Sequence, residues 1–240
     1  RETAEACARL AVDETGLGVY EDKILKHQKK TLGVVRDLQG VKTVGVIEED
    51  KALGLVKIAK PVGVIGAITP MTNSSSTMPC NGLPILKTRN AVIFSPHPKA
   101  KKTCEYICNE MRKGLKKVGA PEDLVLNIKE PTMELSQELM GMADLVLATG
   151  GAGVVKVAYG SGKPAYGVGA GNATVIVDES ADIEDAAVKI FKGKTFDNAT
   201  SCSAENNIII HESIFDSLLV GLQKQGGYLV TDDDSAKLNA

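Results

Sequence analysis

Four apolar runs set the strongest constraint on how this chain can fold. "VGVIGAITP", "NAVIFSPHP", "DLVLNI" and "ADLVLATGG" carry almost no charge, and helical segments alternate with them. A strand that is apolar on both sides must be covered on both sides, so this alternation predicts a parallel sheet between two layers of helix. A content of 24 glycines, with aromatic residues at only 4%, fits an α/β chain with many tight strand-to-helix turns.

The rest of the pattern fills in around these strands. Residues 1–35 read as helical, with a break at Gly16 and Gly18. Residues 41–60 alternate as two strands around a charged turn, "EEDK", which predicts a hairpin. Such a hairpin exposes an edge unless something covers it, and subunit pairing is one way to do so. Helices are expected at "KAKKTCEYICNEMRKGLKKVG", "TMELSQELMG", "GVVKVAYGSG" and "DIEDAAVKIFKGKT", the last with Asp182 as N-cap. "PAYGVG" and "NATVIVD" read as short strands. The expected organisation is N-terminal helices at 1–40, a hairpin at 41–60, a parallel-sheet domain at 61–180 and a further α/β region at 181–240.

Several function classes receive no support. A net charge of −2 gives no general attraction to nucleic acid or anionic lipid. No apolar run is long enough to span a bilayer, and there is no internal repeat. The five cysteines, Cys7, Cys80, Cys104, Cys108 and Cys202, form no CxxC pair. Cys104 and Cys108 share one helix face, but His27, His97 and His211 do not join them, so no metal is expected. An odd cysteine count without framework spacing suits a reducing compartment, and a cytoplasmic location is expected, with enclosure in a larger assembly left open. The chain begins with Arg1, not Met, and the expectation is a piece of a longer protein from which a targeting segment could be missing.

Ligands of parallel sheets bind beyond the carboxyl ends of the strands. Four polar strings fall there: "TPMTNSSST", "SPHP", "ATGGAG" and "GVGAGN". Each has an ordinary structural explanation and a functional one. "ATGGAG" is a tight turn, or a phosphate cradle at a helix N-terminus. "GVGAGN" is a crowded turn, or a floor on which a flat ring could lie. "TPMTNSSST" is a capped helix start, or a pocket of donors for an oxyanion. Cys202, in "KTFDNATSCSAENN", is a small buried hydrophobe or an accessible nucleophile with polar neighbours Asn198, Ser201 and Ser203.

Taken together the strings resemble the aldehyde dehydrogenase superfamily, in particular its coenzyme-A-acylating branch, which includes the aldehyde half of bifunctional aldehyde-alcohol dehydrogenases. The resemblance runs from "VDETGLGVYEDK" through "KPVGVIGAITPMTNSSST", "LKTRNAVIFSPHPKAKKT", "LATGGAGVVKVAYGSGKPAYGVGAGN" and "KTFDNATSCSAEN" to "GGYLV". It implies a Rossmann-like nucleotide-binding domain followed by the first part of an α/β catalytic domain, with the remainder lying beyond this chain. It implies Cys202 as the nucleophile that forms a thioester, and an oxyanion donor at Thr72 or the adjacent Asn73. The cofactor, NAD or NADP, would lie along Thr69, Pro70, Ser95 and His97, the Thr149-Gly150-Gly151 turn, and Val168 with Gly169. Coenzyme A would be the cosubstrate, and the hairpin would join subunits into a dimer or larger assembly.

Two departures from the hydrolytic branch matter. Its general-base Glu falls on Val168, which cannot activate water, so a thioester could persist until a thiol arrives. Its ribose-binding Lys and Glu fall near Ser95 and Pro98, which leaves NADP open. The string "FDNATSCSAEN" resembles that of members acting on small anionic aldehydes such as succinic semialdehyde or sulfoacetaldehyde, and the resemblance implies a substrate of that class. The competing expectations are a nucleotide-binding scaffold without catalysis and a hydrolytic aldehyde dehydrogenase.

Overall fold

The computed structural model describes residues 3–232 together with Asp234 and Lys237. The chain forms two compact units, Arg1–Ala170 and Gly171–Ala240.

The first unit opens with helices α1 (Ala4–Thr15) and α2 (Tyr20–Leu38), separated at Gly16 and Gly18. Strands β1 (Gly45–Asp50) and β2 (Leu55–Ala59) form the expected antiparallel hairpin. Its turn lies at residues 51–54, so that of "EEDK" (48–51) only Lys51 is in the turn. The reason is local: Asp50 Oδ1 accepts hydrogen bonds from the backbone N–H of Ala52 and of Leu53, both at 3.0 Å.

The strand–helix alternation follows as β3 (Val64–Thr69), α3 (Ser74–Lys87), β4 (Ala91–Pro96), α4 (Lys101–Lys117), β5 (Val125–Asn127), α5 (Met133–Met142), β6 (Leu145–Thr149), α6 (Ala152–Tyr159) and β7 (Ala165–Val168). These five strands form one sheet in the order β5-β4-β3-β6-β7, and every pairing is parallel. Both faces are covered, as the uniform apolarity of the strands requires. Ile65 and Ala67 pack with Met78, Phe94 and Cys104 on one side, while Ile68 and Val146 pack with Leu139 and Ala158 on the other.

The start of β3 is fixed by two side chains. Asn90 Oδ1 accepts from the N–H of Val62 and Gly63 at 2.6 and 2.9 Å, and Asp144 Oδ2 accepts from the N–H of Val64 at 2.8 Å. Gly63 has φ +131°, and a Cβ there would run into the Asp144 carboxylate, so only glycine fits.

The second unit contains β8 (Ala173–Val177), α7 (Ile183–Thr195), β9 (Glu205–Ile210) and α8 (Phe215–Lys224). Strand β8 pairs in parallel with β9 and does not join the five-stranded sheet, so the second unit begins ahead of residue 181, where the sequence had suggested a boundary. Its core is Val177, Ala187, Ile190 and Leu218. Asp182 caps α7 as expected, accepting from the N–H of Asp185 at 3.0 Å.

Helix α3 contains Pro79 and Pro84, residues that normally break a helix. Pro79 has no N–H to offer the carbonyl of Ser75, four residues earlier. That carbonyl instead accepts from His27 Nδ1 of α2 at 2.8 Å. His27 is therefore protonated on Nδ1 and, at 7% exposed, is held with its pKa below the ordinary 6.5, first by burial and despite the opposing effect of the Ser75 bond.

A lowered pKa means the unfolded chain binds the proton more readily, so His27 supports folding fully above pH 6.5, and that support is lost as pH falls through the lowered value. His27→Leu removes the donor and strands a buried carbonyl, at an expected cost of about 1–3 kcal/mol. Urea unfolding of the intact protein across a pH series checks both: the variant should have a lower midpoint above pH 6.5 and a flatter decline below it. An unchanged midpoint would remove His27 from its role as Pro79's substitute donor.

Candidate active site

Within the first unit the strand order reverses between β3 and β6. Chain connections run outward from β3 through β4 to β5 on one side, and from β6 to β7 on the other. The carboxyl ends of β3 and β6 therefore border a crevice, the usual ligand position in such sheets. The residues expected at the cofactor fall on this one edge of the sheet: Thr69 and Pro70 after β3, Ser95 and His97 at β4, Thr149 to Gly151 after β6, and Val168 with Gly169 after β7.

Not all of them present their side chains there. Thr69 is 2% exposed with Oγ1 3.9 Å from Cys104 Sγ, and Ser95 is fully buried with Oγ 2.8 Å from Ser136 Oγ. Both hydroxyls are spent inside the fold. His97 Nδ1 accepts from the N–H of Lys99 at 3.1 Å, capping a short turn, and its pKa is lowered by burial and then by the Lys99 charge. By contrast, Gly151 is exposed and stands at the N-terminus of α6, which has no side-chain cap. A Cβ on Gly151 would meet nothing within 4 Å. Val168 is 52% exposed, and its carbonyl accepts from the N–H of Gly150 at 3.1 Å.

The 69–77 loop leads into α3 with Asn73 at the N-cap position. Its carbonyl accepts from the N–H groups of Ser76 and Thr77 at 3.2 and 3.0 Å. Its side chain does not cap the helix: Asn73 Oδ1 accepts from Lys26 Nζ at 3.0 Å, and Nδ2 lies 3.4 Å from Thr72 Oγ1. Lys26 is 3% exposed, as is Lys23 on the same face of α2.

The second unit holds Cys202. Helix α7 is followed by a turn in which Asp197, Asn198 and Ala199 all have positive φ, at 51°, 52° and 57°. Three consecutive non-glycine residues in the left-handed region form a short left-handed turn, an uncommon conformation that clusters at functional sites. Asp197 is fully buried; its Oδ2 accepts from Thr200 Oγ1 at 2.5 Å and its carbonyl from the N–H of Thr200 at 3.1 Å. Cys202 follows on a further bend and is exposed. Gly171 has no room for a side chain, because a Cβ would stand 2.7 Å from the Cys202 carbonyl. At the start of β9 the Glu205 carboxylate lies against Gly193 of α7, and its Oε2 is buried without a hydrogen-bond partner among the described residues.

The other thiols are less exposed than Cys202. Cys7, Cys104 and Cys108 are buried, and burial pushes their pKa up to about 11, 12 and 11. Burial raises that of Cys80 as well. Among the described residues no cluster of His, Cys, Asp and Glu could hold a metal ion, and no helix is long and apolar enough to cross a membrane.

Sequence reasoning missed Lys26, His27, Asp197 and Glu205. Two signals were available. Lys23, Lys26 and His27 are spaced i, i+3, i+4, which puts three basic residues on one helix face. Asp-Asn at 197–198 is a pair that tolerates left-handed backbone.

Comparison with known proteins agrees with this architecture. Sulfoacetaldehyde dehydrogenase of Acholeplasma sp is 54% identical over 226 residues, covering 94% of this chain and 47% of that protein. An acetylating aldehyde dehydrogenase from Geobacillus thermoglucosidasius superposes with a TM-score of 0.92 at 43% identity, over 97% of this chain and 52% of that one. The propionaldehyde dehydrogenase of Rhodopseudomonas palustris, solved with bound CoA and an acylated cysteine, gives a TM-score of 0.83 at 38% identity, over 99% and 54% of the two chains. The chain spans about half the length of the curated relatives it matches. The aldehyde dehydrogenase family model matches residues 1–237, and the chain belongs to that family.

Proposed function

We propose that this chain supplies the nucleotide-binding region and the nucleophile of a CoA-acylating aldehyde dehydrogenase, which converts a small aldehyde to its acyl-CoA. The observation that carries this reading is Cys202: exposed on the bend that follows the left-handed turn, while Cys7, Cys104 and Cys108 are buried. The acetylating and CoA-bound relatives support the acylating branch.

The chemistry assigned to the residues is as follows. The Cys202 thiolate adds to the aldehyde carbon, and the carbonyl oxygen becomes an oxyanion. Donors from the 69–77 loop, Asn73 or Thr72, stabilise that charge. Loss of hydride from the carbon leaves an acyl thioester on Cys202. The thiolate of coenzyme A then attacks the acyl carbon, and Cys202 departs as thiolate; each step is reversible. A nicotinamide cofactor, when bound, supplies the hydride acceptor. The uncapped α6 N-terminus behind Gly151 fits its phosphates, and the exposed end of β7 at Val168 and Gly169 offers an apolar surface for a ring. Valine at that strand end provides no base for water, which favours release to a thiol over hydrolysis. NAD and NADP are both retained. Small anionic aldehydes are the proposed substrate class, supported by the sulfoacetaldehyde and succinate-semialdehyde dehydrogenases among the relatives.

Self-association through the hairpin belongs to the same proposal. Leu55 and Ile58 of β2 are 61% and 54% exposed, and Leu53 in the turn is 71% exposed. A two-stranded ribbon with exposed apolar side chains of this kind is a ready surface for a second copy.

Three measurements test the reading. Iodoacetamide at neutral pH should modify Cys202 ahead of the other thiols; first labelling elsewhere would count against its role. Reduced-nicotinamide absorbance should rise with acetaldehyde, succinic semialdehyde or sulfoacetaldehyde only when coenzyme A is present, and not in Cys202→Ala. The anionic aldehydes should react fastest. Turnover without coenzyme A would indicate the hydrolytic reading, and labelling without any turnover would indicate a scaffold. Leu55→Lys with Ile58→Lys should lower the mass measured by light scattering, and an unchanged mass would place the interface elsewhere.

A further inference from the structure

We infer that Lys99 selects NADP over NAD by pairing with the 2′-phosphate on the adenosine ribose. The inference rests on the nucleotide-binding part of the reading above and names its cofactor.

In open parallel sheets the adenosine ribose lies beyond the carboxyl end of a strand near the crevice. A carboxylate there holds the free 2′-hydroxyl and favours NAD, whereas a cation accommodates the 2′-phosphate of NADP. Here that strand is β4, which pairs with β3 along its length. Its end, "SPHPKAKK" at residues 95–102, has three lysines and no acidic residue. The N–H of His97 donates to the carbonyl of Thr69 at 3.1 Å, which fastens this end to the end of β3 beside the crevice.

The carboxylates around this end are engaged. Glu14 of α1 accepts from the N–H groups of Lys102 and Thr103, each at 2.8 Å, and from Thr103 Oγ1 at 2.7 Å. Glu130, beyond β5, pairs with Lys101, and Glu105 of α4 lies 3.7 Å from Lys129 Nζ. The first amides of α4 and the charge of Lys101 are therefore already met, and the Ser95 hydroxyl is spent on Ser136. His97 adds no charge at neutral pH, since its Nδ1 accepts from the N–H of Lys99 and its pKa is lowered by burial and then by the Lys99 charge. Lys99 differs from its neighbours. It is exposed and has no salt bridge among the described residues. The backbone that carries it is held by the His97 cap and by the fully buried Ala100 beside it, whose N–H donates to the His97 carbonyl at 2.8 Å.

Isothermal titration of the intact protein with NADP and with NAD tests this without requiring turnover. NADP should bind about tenfold or more tightly than NAD, and 2′,5′-ADP should exceed 5′-ADP by a similar factor. Lys99→Gln should remove that advantage while leaving NAD binding within about twofold, and Lys99→Glu should reverse it. The advantage should shrink as salt rises, because an exposed ion pair is screened. Lys102→Gln removes a neighbouring charge and should leave the ratio unchanged. Equal affinity of the parent for NADP and NAD, a parallel loss of both in Lys99→Gln, or a loss confined to Lys102→Gln would each overturn the assignment. A gain with 3′,5′-ADP in place of 2′,5′-ADP would give Lys99 to the 3′-phosphate of coenzyme A and overturn the cofactor choice. Binding of neither nucleotide would overturn the nucleotide-binding reading and this inference with it. NADP-selective binding without CoA-dependent turnover would sustain the inference and sink the acylating reading.

Discussion

The first unit depends on the hydrogen-bonded placement of β3. This strand pairs along its whole length with β4 and over four residues with β6, and it is the line at which the sheet order reverses. Its side chains alternate between two separate cores, so a slip of one residue would send Ile65 and Ala67 to the wrong face and Ile68 to the other. Asn90 and Asp144 prevent such a slip by binding the three amides at the strand's start. The consequence appears at the other end. The loop that begins at Thr69 emerges at a fixed height above the crevice, and Asn73 is four residues further on.

The loop itself is supported by buried polar groups, an expensive choice for a protein interior. A plain apolar contact could hold α2 against α3, but it could not replace the donor that Pro79 lacks. His27 supplies that donor, and Lys26 adds a bond to Asn73 Oδ1.

The sequence was legible where one physical pattern dominated a whole segment. Uniformly apolar strands with helices between them announced the parallel sheet, and alternation announced the hairpin. The Asp182 cap was readable from its chemistry alone. Legibility failed where a residue's role depended on something distant in the chain. Helix α3 carries two prolines and is held by packing of Met78 and Ile85 and by a donor 48 positions away. Thr69 and Ser95 looked like polar strand ends facing a ligand, yet their hydroxyls are consumed by Cys104 and Ser136. Strand β8 read as the next member of the large sheet, since its apolar run contains nothing that distinguishes one parallel neighbour from another.

The turn before Cys202 shows how a short string can specify unusual geometry. Aspartate and asparagine enter the left-handed region at little cost, and Ala199 continues it at a cost of about 1–2 kcal/mol. The buried Asp197 carboxylate and the Thr200 hydroxyl close the turn from inside, and together they can offset that cost. A right-handed continuation of α7 would have carried the chain onward along the helix axis, with Cys202 placed by the helical repeat. Phe196 leaves the helical region (ψ 124°) and ends α7 at Thr195, and the left-handed turn follows. This turn swings the backbone so that the Cys202 carbonyl rests against Gly171 and leaves the residue itself exposed. The lone thiol is therefore positioned by backbone hand and by one glycine, with no need for a cysteine or histidine beside it in sequence.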